Sequence, residues 1–195
     1  MKPRNFDRNN VIRNTEKLPV GGYVVKILDA KEQNFTWGDV LVISFDIAEG
    51  DFKDFFDENY KAQQGEDKKW KGTFRLNIPK EDGSEQDQWT QKKFNTNIVA
   101  IEDSNPNYFF DWDEAKLKGK LVGAIFNNKE YEVNGNHGFY TNCYSFVSVE
   151  TIRSGNFKIP ADTLLRSNTG SATSNTTVST DFVNVSGGDE EIPFN

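Results

Sequence analysis

Lys68, Lys69, Trp70, Lys71, Gly72, Thr73, Phe74 and Arg75 set four cations around one indole within a short run. Such a run suits a polyanion with unpaired bases, because ammonium and guanidinium groups hold phosphates while a ring face stacks on a base. Trp70 is equally suited to a core position behind a charged loop, and each lysine to simple solvation. A second aromatic pair, Phe35 and Trp37, lies in the run Phe35-Thr36-Trp37-Gly38. These rings either stack on bases or plug the end of a β-barrel. Tyr131 and Tyr140 flank an Asn134-Gly135 turn signal and form a third stacking candidate, with a solvated His137 beside them.

Other chemistries find little support. The chain has no GxxxxGK[ST] phosphate loop, no HExxH, no paired CxxC and no GxSxG. One histidine and one cysteine leave almost nothing for a zinc site or a Cys/His nucleophilic pair. Asp111, Asp113 and Glu114 around Trp112 offer carboxylates that could hold Mg²⁺ for nuclease chemistry. Adjacent carboxylates at a helix start are better explained by capping and the helix dipole. The expectation is therefore a non-enzymatic protein with no catalytic residue, no metal and no cofactor.

The candidate residues need elements to hold them. Alternation predicts a strand over 23–30 and another over 40–48, where Leu41, Ile43, Phe45 and Ile47 share a face. Phe52, Phe55, Phe56 and Tyr60 at helical spacing predict a short helix over 51–60. Strand three spans 73–78, with Phe74, Leu76 and Ile78 on the face opposite Arg75. Ser84 followed by Asp87 is a helix-start signal, and the helix runs to about Ile101, with Asn105-Pro106 breaking it. Strand four covers 121–126, Asn127-Asn128 reads as a turn before a short stretch 131–133, and strand five covers 139–149. Phe94, Tyr108, Phe109, Phe110 and Trp112 read as packing. Three strands, a helix, then two strands is the order of an OB fold, a five-stranded barrel with its helix between strands three and four. The fold expected is mainly β and OB-like, with short helical insertions and a disordered C-terminal tail.

Composition changes near Arg166. Residues 167–178 read SNTGSATSNTTV, which has almost nothing to bury and cannot offset its ordering entropy. The division expected is an N-terminal arm over 1–17, a domain over 18–166, a flexible linker over 167–188 and an acidic tip over 189–195. The 195 residues carry a net charge of −7. From Ser167 onward there is no Lys or Arg, while Asp181, Asp189, Glu190 and Glu191 lie there, so the domain itself is nearly neutral and a local basic patch suffices for nucleic acid. The lone Cys143, the polar N-terminus and the lack of any long apolar run lead to the expectation of a cytoplasmic protein without a membrane span.

In the tip, Ile192 and Phe194 are short apolar anchors, Pro193 stiffens them, and Asp189, Glu190 and Glu191 attract a basic rim. This Asp-Glu-Glu-Ile-Pro-Phe stretch behind a polar linker resembles the C-terminal tip of bacterial and phage single-stranded DNA-binding proteins. In those proteins Phe is terminal and partners grip its α-carboxylate; here Asn195 follows Phe194 and moves that charge by one residue. The stretches LPVGGYVVKI, GDVLVISFDIAEGDFKDFF, KKWKGTFRLNIPK and LKGKLVG are similar to a group from phages and mobile elements of Gram-positive bacteria, known mainly as single-stranded DNA-binding or uncharacterised proteins. The resemblance implies sequence-independent binding and protection of single-stranded DNA in bacteriophage or mobile-element DNA replication and recombination, in a host bacterial cytoplasm. The tip would recruit replication or recombination proteins. Homo-oligomerisation is left open, and a protein adaptor without DNA binding or a metal-dependent nuclease stand as rivals.

Overall fold

Apolar alternation builds one five-stranded antiparallel sheet. The computed structural model describes residues 17–165. Expectations for most of the N-terminal arm, for the linker and for the tip lie outside these residues. The elements are β1 Gly21–Phe35, β2 Gly38–Ile47, α1 Phe55–Ala62, β3 Thr73–Asn77, α2 Glu85–Ser104, a 3-10 turn Glu114–Leu117, β4 Leu121–Val133, β5 Asn136–Val147 and α3 Val149–Arg153. The sheet order is β3-β2-β1-β4-β5, so β1 is shared by both halves.

Inward residues of every strand meet in one core. Val25, Ile27, Ile43, Phe45, Val122, Ala124, Phe126 and Phe146 are almost fully buried. Phe45 makes edge contacts with Phe56, Phe126 and Phe146 at 5.6, 6.0 and 6.2 Å between ring centroids, the arrangement that ring quadrupoles favour. α1 closes one end of the core. Its N-cap Asp54 offers no side-chain bond. The buried Asp46 carboxylate from β2 serves instead, accepting from the amides of Phe56 (2.9 Å) and Asp57 (3.0 Å). Burial pushes the Asp46 carboxyl above its usual range, against the opposing effect of these amide donors.

The expected barrel is not closed. No ladder joins β3 to β5 among the described residues. α2 packs against β3, β4 and β5, and the amide of Phe146 donates to the Asn97 side chain of α2 at 2.7 Å. A helix side chain thus takes a donor that a closing strand would use, and only side chains bridge the gap, with Phe74 and Phe146 at 4.5 Å. α2 starts as expected, Ser84 accepting from the Asp87 amide at 3.1 Å, and buries Phe94, Ile98 and Ile101.

The strands run further than expected. β1 continues past Ala30 to Phe35, and β4 passes through Asn127-Asn128 without turning. The asparagines do not bend the chain because residues 161–163 occupy their side chains: Asn127 donates to the Ala161 carbonyl (2.9 Å) and the Thr163 hydroxyl (3.0 Å), and Asn128 to Asp162 (3.1 Å). Val149, expected to end strand five, instead begins α3, capped by Ser148. The result is two hairpin arms that leave opposite ends of the β1–β4 ladder, one tipped by Thr36-Trp37 and the other by Asn134-Gly135. Among the described residues no helix is long and apolar enough to cross a membrane.

Candidate functional site

The pairing register sorts the β1–β2 arm into two unlike faces. Lys31 stands opposite Val42, and Val42 opposite Arg75. Directly paired residues share a face, so this row carries a cation on either side of an aliphatic side chain. The next rows on that face are Gln33, the buried Val40 and Asn77 toward the tip, and Asp29, Ser44 and Thr73 away from it. Lys31 is partly committed to Asp29, with the ammonium 3.0 Å from the carboxylate. That contact holds the Asp29 carboxyl below its usual range. The opposite face of the arm presents Glu32, Asn34 and Asp39, with the Asn34 amide donating to both carboxylates at 3.0 and 2.9 Å. A polyanion therefore meets cations on one face and carboxylates on the other.

Two rings finish the cationic face. Phe35 and Trp37 stack at 5.2 Å between centroids and 11° between planes, and they are 39% and 37% exposed. The Lys80 side chain lies across Gly38, where a Cβ would meet its Cε at 3.0 Å. This turn can therefore supply a flat apolar surface with a cation beside it.

The run 68–75 does not act as one surface. Arg75 lies on the exposed face of β3. Trp70 is half-buried, packs on the core, and donates its indole N–H to the Gly72 carbonyl at 3.0 Å. Gln63 clamps the Lys69 backbone through two bonds of 2.8 Å. Lys68 reaches over the Tyr60 ring, 5.9 Å from its centroid, and donates to the Lys61 carbonyl. Lys71 is exposed, just before Gly72, whose carbonyl accepts from the Phe45 amide at 2.8 Å. Trp37 and this segment thus sit at opposite ends of β2, about 23 Å apart at about 3.3 Å per residue.

Tyr131 and Tyr140 do come together, 6.3 Å between centroids, on the β4–β5 arm. Tyr131 pairs with Gly138, which has no side chain to displace the ring. His137 faces Glu132 across the ladder, 3.4 Å away. Asp113 caps the 3-10 turn by accepting from the Ala115 amide at 3.2 Å, and Asp111 pairs with Lys116. No group of three or more His, Cys, Asp or Glu among the described residues is arranged to hold a metal ion. Phe109 and Trp112, read from sequence as packing, are largely exposed.

Sequence reasoning missed Lys31, Lys80 and the Glu32–Asp39 face. Extending the alternation of β1 beyond Ala30 would have aligned Lys31, Gln33 and Phe35 on one face. Lys80 carried no signal, because only the fold brings it beside Gly38. Comparison of the chain with protein-family models and with curated proteins finds no match.

Proposed function

We propose that the domain binds single-stranded DNA, without sequence preference, on the face of β1, β2 and β3 that carries Lys31 and Arg75. The observation that carries this reading is the exposed Phe35–Trp37 stack beside the row of Lys31, Val42 and Arg75. Stacking rings recognise any base, and cations beside them recognise the backbone. Lys80 adds charge at the tip. Lys71 and Trp70 border the far end of β2, and Lys68 and Lys69 raise the potential there. Tyr131 and Tyr140 form a secondary stacking position on the other arm. Glu32 and Asp39 keep the strand off the opposite face of the β1–β2 arm. The sheet order, with β1 in both halves and α2 between β3 and β4, supports an open, OB-like barrel. The resemblance of the sequence to phage and mobile-element proteins fits a role in DNA replication or recombination, with Asp189, Glu190, Glu191, Ile192, Pro193 and Phe194 docking partner proteins.

Fluorescence anisotropy of labelled oligo-dT at two salt concentrations, with and without Mg²⁺, tests the reading. It predicts binding that weakens as salt rises and no cleavage. Salt-independent absence of binding would favour a protein adaptor, and Mg²⁺-dependent shortening of the oligonucleotide a nuclease.

A further inference from the structure

α2 is fastened to the end of β5 at two points. The Phe146 amide donates to Asn97 at 2.7 Å, and the Val149 amide donates to the Ser104 hydroxyl at 3.0 Å. Between these anchors the helix presents the small side chain of Ala100. A groove of about 490 Å³ lies open there, with Val99, Ala100, Phe146 and Val147 supplying its apolar surface. Val99 is 47% exposed, although Thr96 and Asp103, one turn before and after it on the helix, are polar. Its exposure does nothing for the packing of the domain. None of the residues proposed to touch DNA lines the groove.

The chain carries an apolar run that could fill this space. Phe182, Val183 and Val185 stand together in the polar tail, cut off from the acidic tip by Ser186, Gly187 and Gly188. Residues 167–180 hold Val178 as their only large apolar side chain. The point where the tail leaves the domain and the length of the tether select this run. The Leu165 amide is bonded to Glu130 of β4, whereas Val147 on the groove wall pairs with Gly123. From Gly123 to Glu130 is about 23 Å at about 3.3 Å per residue. Residues 166–181 are rich in Ser, Thr, Asn and Gly. A tether of that kind and length spans about 20–24 Å root-mean-square. Effective concentration is highest when the reach of a tether matches the distance to be bridged. The tip is less suited. Ile192 and Phe194 follow Asp189, Glu190 and Glu191, and the only ionisable residue lining the groove, among the described residues, is Asp103.

We infer that residues 182–185 of the chain's own tail dock in this groove, with Phe182 against Val99 and Ala100. Docking closes 166–181 into a loop and leaves only residues 186–188 between the domain and the tip. The tip is then presented from the α2–α3 side of the domain instead of from the end of a long tether. The inference stands whether or not the domain binds DNA.

The test uses the full chain with a nitroxide label at Ser186→Cys and the amide resonances of the domain. Cys143 is buried, so the label goes to the introduced thiol alone. The amide signals of Val99, Ala100 and Val147 should broaden far more than those of the β1–β2 arm. Adding Phe182→Ser should lower the docked-to-free ratio on the order of tenfold and erase this selective broadening. Val99→Gln should do the same with a melting temperature near that of wild type, since the side chain is exposed. Phe194→Ser should leave the broadening in place. Even broadening over the whole surface, broadening centred on the face of Lys31 and Arg75, or selective broadening that survives Phe182→Ser would overturn the docking.

Discussion

The two hairpin arms end in two-residue turns, yet the chain secures them very differently. Residues 161–165 run beside β4: Thr163 donates to the Asn128 carbonyl and accepts from the Glu130 amide, both at 2.8 Å, and the Leu165 amide donates to the Glu130 carboxylate at 3.0 Å. On the β5 side, Lys17 donates to the Phe139 carbonyl, and Thr141 to the Leu18 carbonyl at 2.5 Å. Among the described residues the β1–β2 arm is flanked on one edge only, by β3 along residues 40–44 of β2, and near its tip the Ile78 amide donates to the Asp39 carbonyl at 2.9 Å. Past Ala30 its β1 residues are all exposed. One arm is bound into the fold on both edges, and the other on its β2 edge alone, its β1 edge beyond Ala30 having no flanking segment among the described residues. Rings whose exposure does nothing for folding are the ones to interpret functionally.

The comparison predicts a graded series. Phe126→Ala should have the largest effect. Phe126 lies where β4 leaves β1 to form its arm and touches Tyr23, Phe45 and Phe56. Its removal should cost about 3–5 kcal/mol in chemical denaturation. Asn127→Ala deletes a buried amide that holds residues 161–163, and should cost about 1–3 kcal/mol. Limited proteolysis should then cut near residues 160–165 faster than in wild type; equal cutting would mean that the segment is not a structural strap.

A smaller effect follows from Cys143, buried at the base of the same arm. Burial pushes its thiol far above the usual range. A folded-state value above the unfolded one means that the contribution to stability is intact below about pH 8.5, the unfolded value, and is lost as pH rises beyond it. Unfolding free energy should therefore fall by up to about 1.4 kcal/mol per pH unit above that point. Cys143→Ala should remove this slope. An identical slope in the variant would mean that the thiol is not sequestered. Trp37→Ala should have the least effect on stability, within about 0.5 kcal/mol, while weakening single-strand binding by roughly 1–3 kcal/mol. A large drop in melting temperature would make the Phe35–Trp37 stack a structural plug instead.

Legibility of the sequence followed burial. Leu41, Ile43, Phe45 and Ile47 alternate because one face of β2 is covered, so the strand could be read directly. The Ser84 cap and the Asn134-Gly135 turn are local signals and could be read in the same way. Both residues of that turn have positive φ, 50° and 80°, which Asn and Gly tolerate best. Residues 31–35 could not be read as strand, because all five are exposed and carry no apolar period, although Glu32 and Gln33 pair with the buried Leu41 and Val40. Asn127-Asn128 looked like a turn because the partners of those side chains lie 34 residues or more away. The rings at the β1–β2 tip were visible as candidates. The cations that share their face emerged only once the register was known. The closed barrel expected from strand order does not form among the described residues: α2 packs against β3, β4 and β5, and its Asn97 takes up the Phe146 amide.

The central claim is that phosphates lie on the face of Lys31 and Arg75. The most direct measurement is the salt dependence of oligo-dT affinity for wild type, Lys31→Ala and Arg75→Ala. Both side chains are exposed, so the variants should melt with wild type. Each lost phosphate contact should reduce the log–log slope by about 0.7, and the double variant by about twice that. Slopes identical to wild type in all three variants would contradict the assignment and move the DNA to another face.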